Sequence, residues 1–423
     1  MFGSAALRAS MEIVNGLSRS QTTPFNQGLR SSLGLSSSQE SAGQNLSIPT
    51  SASQPFTFSW NMAATPAPAP VAHPFVFPVI SPFNSFNFST GTFLEELRHY
   101  SEEPELAPVQ ETAIAVPVSS FFNSIQEYAS SKNLREQWNT MEEASKRFVN
   151  KHTVLSAGDR YGNVKAYPEN QVDMTNGSWI SLSRVDPLIC TCAPPPHAFS
   201  DFWESVYDNN VSGIIMLTKL KEGDRVKADR YWPEIPGNKV AYGKVEVHYA
   251  TEIVLCPSLI KRTFFVKRAE EVSRVVVQLH FIGWPDHGAP SSNDFFHLID
   301  EMEKLPQGKL LVHCSAGIGR TGTLVAFLQA HREMKATIFD TIANGTEPQI
   351  DLVNTIISLR EQRRGMVQTY EQMSFCFRAI LKKYMLLLQE HRTLINACSH
   401  HETLVNLLAT LEGLNLFKKA DFS

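Results

Sequence analysis

Lys309-Leu-Leu-Val-His-Cys-Ser-Ala-Gly-Ile-Gly-Arg-Thr-Gly322 decides the fold of this 423-residue chain. An apolar run, Leu310-Leu-Val312, feeds a loop of small residues, and an amphipathic stretch with Leu324, Phe327, Leu328 and His331 leaves it. That order predicts a strand, a tight loop and a helix. Gly317, Gly319 and Gly322 let the backbone turn sharply with its N–H groups pointing inward. Inward N–H groups at a helix N-terminus form an anion cradle. The same partial positive charge, with Arg320 beside it, favours the thiolate of Cys314. Such settings bring a cysteine pKa from about 8.5 to roughly 3.5–7.5. The planar fork of Arg320 can hold two phosphate oxygens at once. Thr321 is expected to donate its hydroxyl to the sulfur. A cysteine that merely filled a core would need neither the arginine six residues on nor the glycines. A metal site would need further soft ligands, and none stands nearby in sequence.

Outward from this segment, strand-like runs at Gly213–Leu217, Lys244–Val254, Thr263–Val266 and Ser273–Phe281 join the one at Lys309–Val312. Helical periodicity occupies Gly322–Lys335, Ile350–Arg360, Glu371–Leu388 and Glu402–Gly413, and earlier the stretch 120–148 through Phe121, Ile125, Tyr128, Trp138, Met141 and Phe148. Interleaved strands and helices predict an α/β fold: a mixed, highly twisted sheet flanked by helices on both sides.

Residues 1–94 are a different material. Their only charges are Arg8, Arg19, Arg30, Glu12 and Glu40, while Phe56, Phe58, Phe75, Phe77, Phe83, Phe86 and Phe88 recur among prolines and small polar residues. Such a segment is expected to be disordered or extended, either as a tail or as a docking segment for a partner or chaperone. The expected layout is therefore a Ser/Pro/Phe-rich region at 1–94, a linker or short helix at 95–117 with order beginning near Phe93, a catalytic domain at 118–390 and a helical extension at 391–423. A formal net charge of −4 gives no reason to expect nucleic acid as a partner. The six cysteines show no repeating spacing and no CxxC pair, which points away from a disulfide framework or structural zinc and toward a reducing compartment. No apolar run reaches the roughly 18 residues of a transmembrane helix, and no secretory h-region stands out near the start. His391, Cys398, His400 and His401 fit no common zinc spacing, and Asn176-Gly-Ser178 reads as an ordinary polar turn.

The decapeptide from His313 to Gly322 matches without a gap the HCSAGxGRTG signature of the phosphotyrosine-specific protein tyrosine phosphatase family. The chain resembles that family over roughly residues 118–388. The resemblance implies hydrolysis of phosphotyrosine in proteins through a phosphocysteine intermediate, without a metal or other cofactor. Cys314 is then the nucleophile and Arg320 the phosphate clamp. Ser315, Ala316, Gly317, Ile318 and Gly319 form the ring that holds the phosphate, and His313 belongs to the same catalytic signature. Trp284-Pro285-Asp286-His287-Gly288 resembles the family's WPD loop, which makes Asp286 the general acid. A tyrosine phenolate, with a reference pKa near 10, needs that proton to leave at neutral pH. Gln368 is implied to position the hydrolytic water and Gln372 to restrain it. Tyr161 looks like the tyrosine that lines the family's deep slot and stacks on phosphotyrosine.

Departures from the pattern are also visible. Asn163 stands where the family has aspartate, so the peptide amide is expected to be held without charge assistance. Lys227-Ala-Asp-Arg-Tyr-Trp-Pro233 resembles KCxxYWP with Ala228 for cysteine, and Lys227 is expected to contact the WPD loop or the substrate. Glu222 stands at the position of the carboxylate that pairs with the clamp arginine. Trp179-Ile-Ser-Leu182 and Cys192-Ala-Pro194 replace Tyr-Ile-Asn-Ala and Gln-Gly-Pro. Alternatives are a catalytically weak phosphotyrosine-binding module and a dual-specificity or phosphoinositide phosphatase. The layout also resembles tyrosine phosphatase effectors that bacteria secrete into the host cytosol, beside a plain cytoplasmic enzyme.

Overall fold

The computed structural model describes residues 120–417, apart from 132, 150, 154–156, 173–179, 186 and 286–287. The expectations for 1–94, for 95–117 with its onset of order at Phe93, and for Trp179 and Asn176-Gly-Ser178 lie outside the described residues.

Two helices come first, α1 (Phe121–Ser131) and α2 (Leu134–Ser145). Next are β1 (Ser183–Val185), β2 (Leu188–Thr191), α3 (Phe199–Asp208) and β3 (Val211–Met216). A small hairpin, β4 (Lys221–Glu222) and β5 (Arg225–Val226), precedes β6 (Lys239–Tyr242), β7 (Val245–Cys256), β8 (Leu259–Arg268) and β9 (Arg274–Phe281). α4 (Ser292–Met302) leads to β10 (Lys309–His313), and α5 (Gly319–Asn344), α6 (Leu352–Gln362), α7 (Tyr370–Glu390), α8 (Arg392–Ala397) and α9 (His401–Gly413) follow.

Eight strands form one sheet in the order β1-β2-β10-β3-β9-β8-β7-β6. The inner pairs β2/β10, β10/β3 and β3/β9 are parallel, and the remaining pairs are antiparallel. The parallel block is apolar because both its faces are covered. Along β3, Ile214 and Met216 enter the core beneath α3 with Phe202 and Trp203, whereas Ile215 enters the opposite core with Phe295, Phe327, Ile356 and Ile380. Each such aliphatic side chain contributes about 1.5–3 kcal/mol on burial. Strands β1, β2 and β6 were not among the sequence expectations, because three or four residues are too few to show alternation.

The terminal helices join the larger core. Leu404, Leu407, Leu408 and Leu411 of α9 share it with Ile380 and Tyr384 of α7 and with Phe121 and Ile125 of α1. The rings of Phe121 and Tyr384 meet edge to face at 5.2 Å. No helix among the described residues is long and apolar enough to cross a membrane.

Parallel strands end on the same edge, so the carboxyl ends of β2, β10, β3 and β9 lie side by side. In open α/β sheets that edge is where ligands bind.

Candidate active site

β10 delivers Cys314 at that edge, and α5 begins five residues later. The loop between them folds around its carbonyls. Arg363, fully buried, donates from Nε to Gly317 O at 2.8 Å and from Nη2 to Ala316 O at 3.4 Å. Its Nη1 reaches Ser183 Oγ at 2.8 Å and Ser181 O at 3.1 Å. Ser315 O accepts from Ala193 N at 3.0 Å, and Ile318 O accepts from Val367 N at 3.1 Å. In a trans peptide the C=O and N–H point opposite ways. Pinning the carbonyls on the outside therefore turns the following N–H groups inward. One of them, Gly317 N, donates to Cys314 Sγ at 3.3 Å.

Glycine is required where this loop meets its neighbours. Gly317 has φ +71, and a Cβ there would lie 1.9 Å from Thr191 O. A Cβ on Gly322 would lie 2.3 Å from Val367 N. By contrast Cys190, opposite Val312 in the sheet, is an ordinary thiol that burial pushes up to about 12.

Arg320 is held in place by protein groups. Its Nη1 and Nη2 donate to Glu222 Oε1 and Oε2 at 2.5 and 3.0 Å, a bidentate pair. Nη1 also reaches Thr218 Oγ1 at 3.0 Å, and Nη2 reaches Pro285 O at 3.0 Å. Glu222 thus does what its sequence position suggested. The Pro285 contact ties the loop that follows β9 to the clamp. Trp284 anchors that loop: it is buried against Phe295 and Phe375, and its Nε1 donates to Gly288 O at 3.3 Å. Asp286 and its neighbour His287 lie outside the described residues.

Gln368 and Gln372 stand directly over the loop. A Cβ built on Gly319 would meet Gln372 Nε2 at 2.8 Å and Gln368 Oε1 at 3.3 Å. Gln372 also closes a capping box at the start of α7, accepting from Thr369 N at 3.3 Å, and it accepts from Gln368 N at 2.8 Å. Val367, just before, sits at φ +56, a strained value for a β-branched residue. On the other wall, Ser315 Oγ donates to Lys227 O at 2.7 Å, so Tyr161 OH, 2.8 Å away, donates to Ser315 Oγ. Arg160 fixes the Tyr161 loop through Ala193 O, Pro194 O and Asp229. Asn163 is exposed at the rim, and Lys227 Nζ lies 3.7 Å from Glu222 Oε2. The structure therefore gathers Cys314, Arg320, the 315–319 ring, Gln368, Gln372, Tyr161 and Lys227 around one cleft.

Residues 156–382 match the model of the family described as protein-tyrosine phosphatase. The chain belongs to the protein-tyrosine phosphatase family. It is 31% identical over 282 residues to the mouse receptor-type tyrosine-protein phosphatase eta, an alignment covering 62% of this chain and 21% of that receptor. It is 33% identical over 220 residues to tyrosine-protein phosphatase 2 of Dictyostelium discoideum, covering 49% of this chain and 54% of the relative. The chain thus spans about a fifth of the mouse receptor and about half of the Dictyostelium protein. Among solved structures, the catalytic domain of human protein tyrosine phosphatase non-receptor type 18 superposes with a TM-score of 0.54 at 26% identity, over 62% of this chain and 99% of that one.

Within this protein-tyrosine phosphatase site, two residues differ from their sequence reading. His313, placed in the catalytic signature by the sequence, turns both ring nitrogens to groups other than the sulfur. It is buried, its Nδ1 faces Cys314 O at 3.0 Å, its Nε2 faces Tyr231 OH at 2.9 Å, and burial holds its pKa down at about 4. It heads a buried polar chain that runs through Tyr231, Gln278 (2.7 Å), Arg262 (2.9 Å) and His280 (3.0 Å) to Thr218 O (2.8 Å). That chain ends on the residue beside the clamp. His313 is accordingly a positioning residue. Thr321 also differs, because its buried hydroxyl has no hydrogen-bond partner and the sulfur receives the Gly317 N–H instead. The tight turn at Gly317 puts a backbone donor at the sulfur three residues back, while Thr321 is already inside the first turn of α5.

Arg363 is the residue the sequence reading missed. Its partners are 46 and 182 residues away, so nothing local signals it. The C-terminal Cys/His group stays unremarkable: His391 Nδ1 and His401 Nδ1 face the backbone carbonyls of Leu387 and Ile395.

Proposed function

We propose that this chain hydrolyses phosphotyrosine in proteins through a phosphocysteine intermediate. One observation carries the reading: Cys314 lies at the floor of a loop whose N–H groups turn inward, beside an arginine already oriented by Glu222. The Cys314 thiolate attacks phosphorus as the phosphate–phenol bond breaks. Arg320 and the N–H groups of residues 315–319 hold the three equatorial oxygens, where charge spreads in the transition state. Asp286 protonates the departing phenolate; Pro285, its neighbour, is held by the clamp. In the second step Gln368, restrained by Gln372, orients water toward the phosphorus. Asp286 takes the water's proton, the S–P bond breaks, and inorganic phosphate leaves.

Tyr161 sets the depth. Its hydrogen bond to Ser315 stands it beside the ring as a wall against which a phosphotyrosine ring stacks. The structural neighbour of type 18 has been solved with HER2 phospho-peptides. For this chain, Asn163 orients the substrate backbone without the charge an aspartate would add, and Lys227 faces the substrate or the Pro285 loop.

Initial rates on a phosphotyrosine peptide, a phosphoserine peptide and a phosphoinositide test the assignment. Turnover of the first alone is expected. Comparable rates on either of the others would make this a dual-specificity or phosphoinositide phosphatase, and binding without turnover would make it a phosphotyrosine-binding module.

For the first 94 residues the reading is a docking segment whose phenylalanines engage a partner or chaperone. It suits either a cytoplasmic enzyme with a regulatory tail or an effector that bacteria deliver into host cytosol. Deleting residues 1–100, with activity and export scored separately, tells these apart.

A further inference from the structure

Val367, the residue before the water-directing Gln368, holds a left-handed φ of +56. A β-branched side chain resists that conformation, which persists only where the surroundings enforce it. Two contacts act directly on this backbone. Val367 N donates to Ile318 O at 3.1 Å. Arg360 of α6, itself buried, donates from Nε to Met366 O at 2.9 Å and from Nη2 to Val367 O at 2.8 Å.

Arg360 is held in turn from α2. Its Nη2 pairs with Glu142 Oε1 at 2.9 Å, and its guanidinium stands 5.6 Å from the centre of the Trp138 ring. Trp138 also meets the Tyr370 ring edge to face at 6.4 Å, and Arg135 lies over that same ring, 3.4 Å from its centre. Positions 135, 138 and 142 follow the three- and four-residue spacing that puts side chains on one helix face. Leu134 and Met141 root the helix in the larger core. Met366 and Val367 precede Gln368 and Tyr370 follows it, so one face of α2 grips the segment on both sides of the glutamine. The supports of Cys314 and Arg320 come from elsewhere: Arg363, Glu222 and the Pro285 loop.

We propose that α2 governs the second chemical step, with Arg135, Trp138 and Glu142 as positioning residues that hold Gln368 where it aims water at the phosphocysteine. The inference rests on the phosphocysteine reading. It gives a part in hydrolysis to a helix outside residues 156–382, the stretch that matches the family model. In that step the water oxygen bonds phosphorus, the S–P bond breaks, the sulfur leaves as thiolate and the water proton passes to Asp286. Small displacements of an orienting group weigh heavily on such a step. Loosening the segment leaves formation of the phosphocysteine untouched and slows its hydrolysis.

The test follows a single turnover of p-nitrophenyl phosphate with the full chain in excess. Release of p-nitrophenol reports formation of the phosphocysteine, release of inorganic phosphate reports its hydrolysis, and mass analysis of quenched protein reports the intermediate itself. In Trp138→Ala and Glu142→Gln, phosphate release is expected to slow by about three- to tenfold, the size of one or two such contacts, with phosphocysteine accumulating. The rate constant for p-nitrophenol release should stay within about twofold of wild type. Trp138→Phe keeps a ring for Arg360 and Tyr370 and should restore hydrolysis. On a Gln368→Ala background, Trp138→Ala should slow hydrolysis no further. Both signals are first-order in active protein, so a smaller folded fraction does not mimic the result. Formation and hydrolysis slowing in parallel, hydrolysis unchanged in both variants, or a full further loss on the Gln368→Ala background overturns the inference and leaves the phosphatase reading standing. If wild-type protein neither turns over nor forms a phosphocysteine, the phosphatase reading itself falls and takes this inference with it.

Discussion

β3 and β8 both lie inside the same sheet with a partner on each side, yet they are built differently. All six residues of β3 are buried, while β8 alternates and leaves Phe265 42% exposed. β3 belongs to the parallel block, whose crossovers cover both faces, so a continuous apolar run suits it. β8 sits in a meander of hairpins, where only one face needs cover. The functional groups follow the first pattern. Cys314 follows β10, Thr218 lies just past β3, the Pro285 loop follows β9, and the Thr191–Cys192 backbone that seats Gly317 closes β2. Parallel strands bring segments far apart in sequence to one edge, and there the ends of the backbone ladder leave N–H and C=O groups to be used.

Breaking the chemistry at that edge should produce the largest effect. Cys314→Ser is expected to remove turnover altogether while phosphopeptide is still captured, because Arg320 and the ring N–H groups remain; calorimetric titration with a phosphotyrosine peptide checks the binding. Asp286→Ala should lower kcat by about 10²–10⁴-fold with KM little changed, the usual worth of a general acid. A kcat within about twofold of wild type would show that another acid acts there.

Arg363→Met sharpens the contrast further, since it touches no substrate. It unpins Gly317 O and Ala316 O and leaves buried acceptors unpaired, at about 1–3 kcal/mol for each such group. Both the unfolding midpoint and kcat should fall, with kcat down by more than the loss of folded protein explains. A kcat per folded molecule equal to wild type would reduce Arg363 to a purely structural residue. Ile214→Ala in β3 should cost about 2–5 kcal/mol of stability, whereas Phe265→Ala on the open face of β8 should stay within about 0.5 kcal/mol. Urea midpoints of the pair measure this directly.

A more gradual effect concerns pH and again falls on the parallel block. His313 and His280 are held neutral by burial, with pKa values of about 4 and about 3 against 6.5 unfolded. The unfolded chain therefore takes up protons first as the pH drops. Stability is intact above pH 6.5 and declines as the pH falls toward 4, by about 1 kcal/mol per histidine between pH 7 and 5.5. A urea midpoint that does not move between these pH values would contradict the neutral assignment, and His313→Gln should flatten its share.

The cradle was legible because its logic is local. A strand, glycines at fixed offsets and an arginine six residues after a cysteine are all written within 14 residues. An apolar run likewise announced β3, since burial on two faces leaves an unbroken apolar signature. What stayed hidden depends on distance. His313 looked catalytic beside the cysteine, but only burial against Tyr231 makes it a neutral brace. Thr321 looked like a partner for the sulfur, but the turn at Gly317 supplies that donor from the backbone.

The amino-acid sequence by itself determined the reaction centre and the α/β class, because those follow from residue types at short, fixed spacings. Only the folded chain decided which groups brace that centre. Arg363 and the polar chain from His313 to Thr218 join residues that are neighbours in space and strangers in sequence, so packing alone creates them.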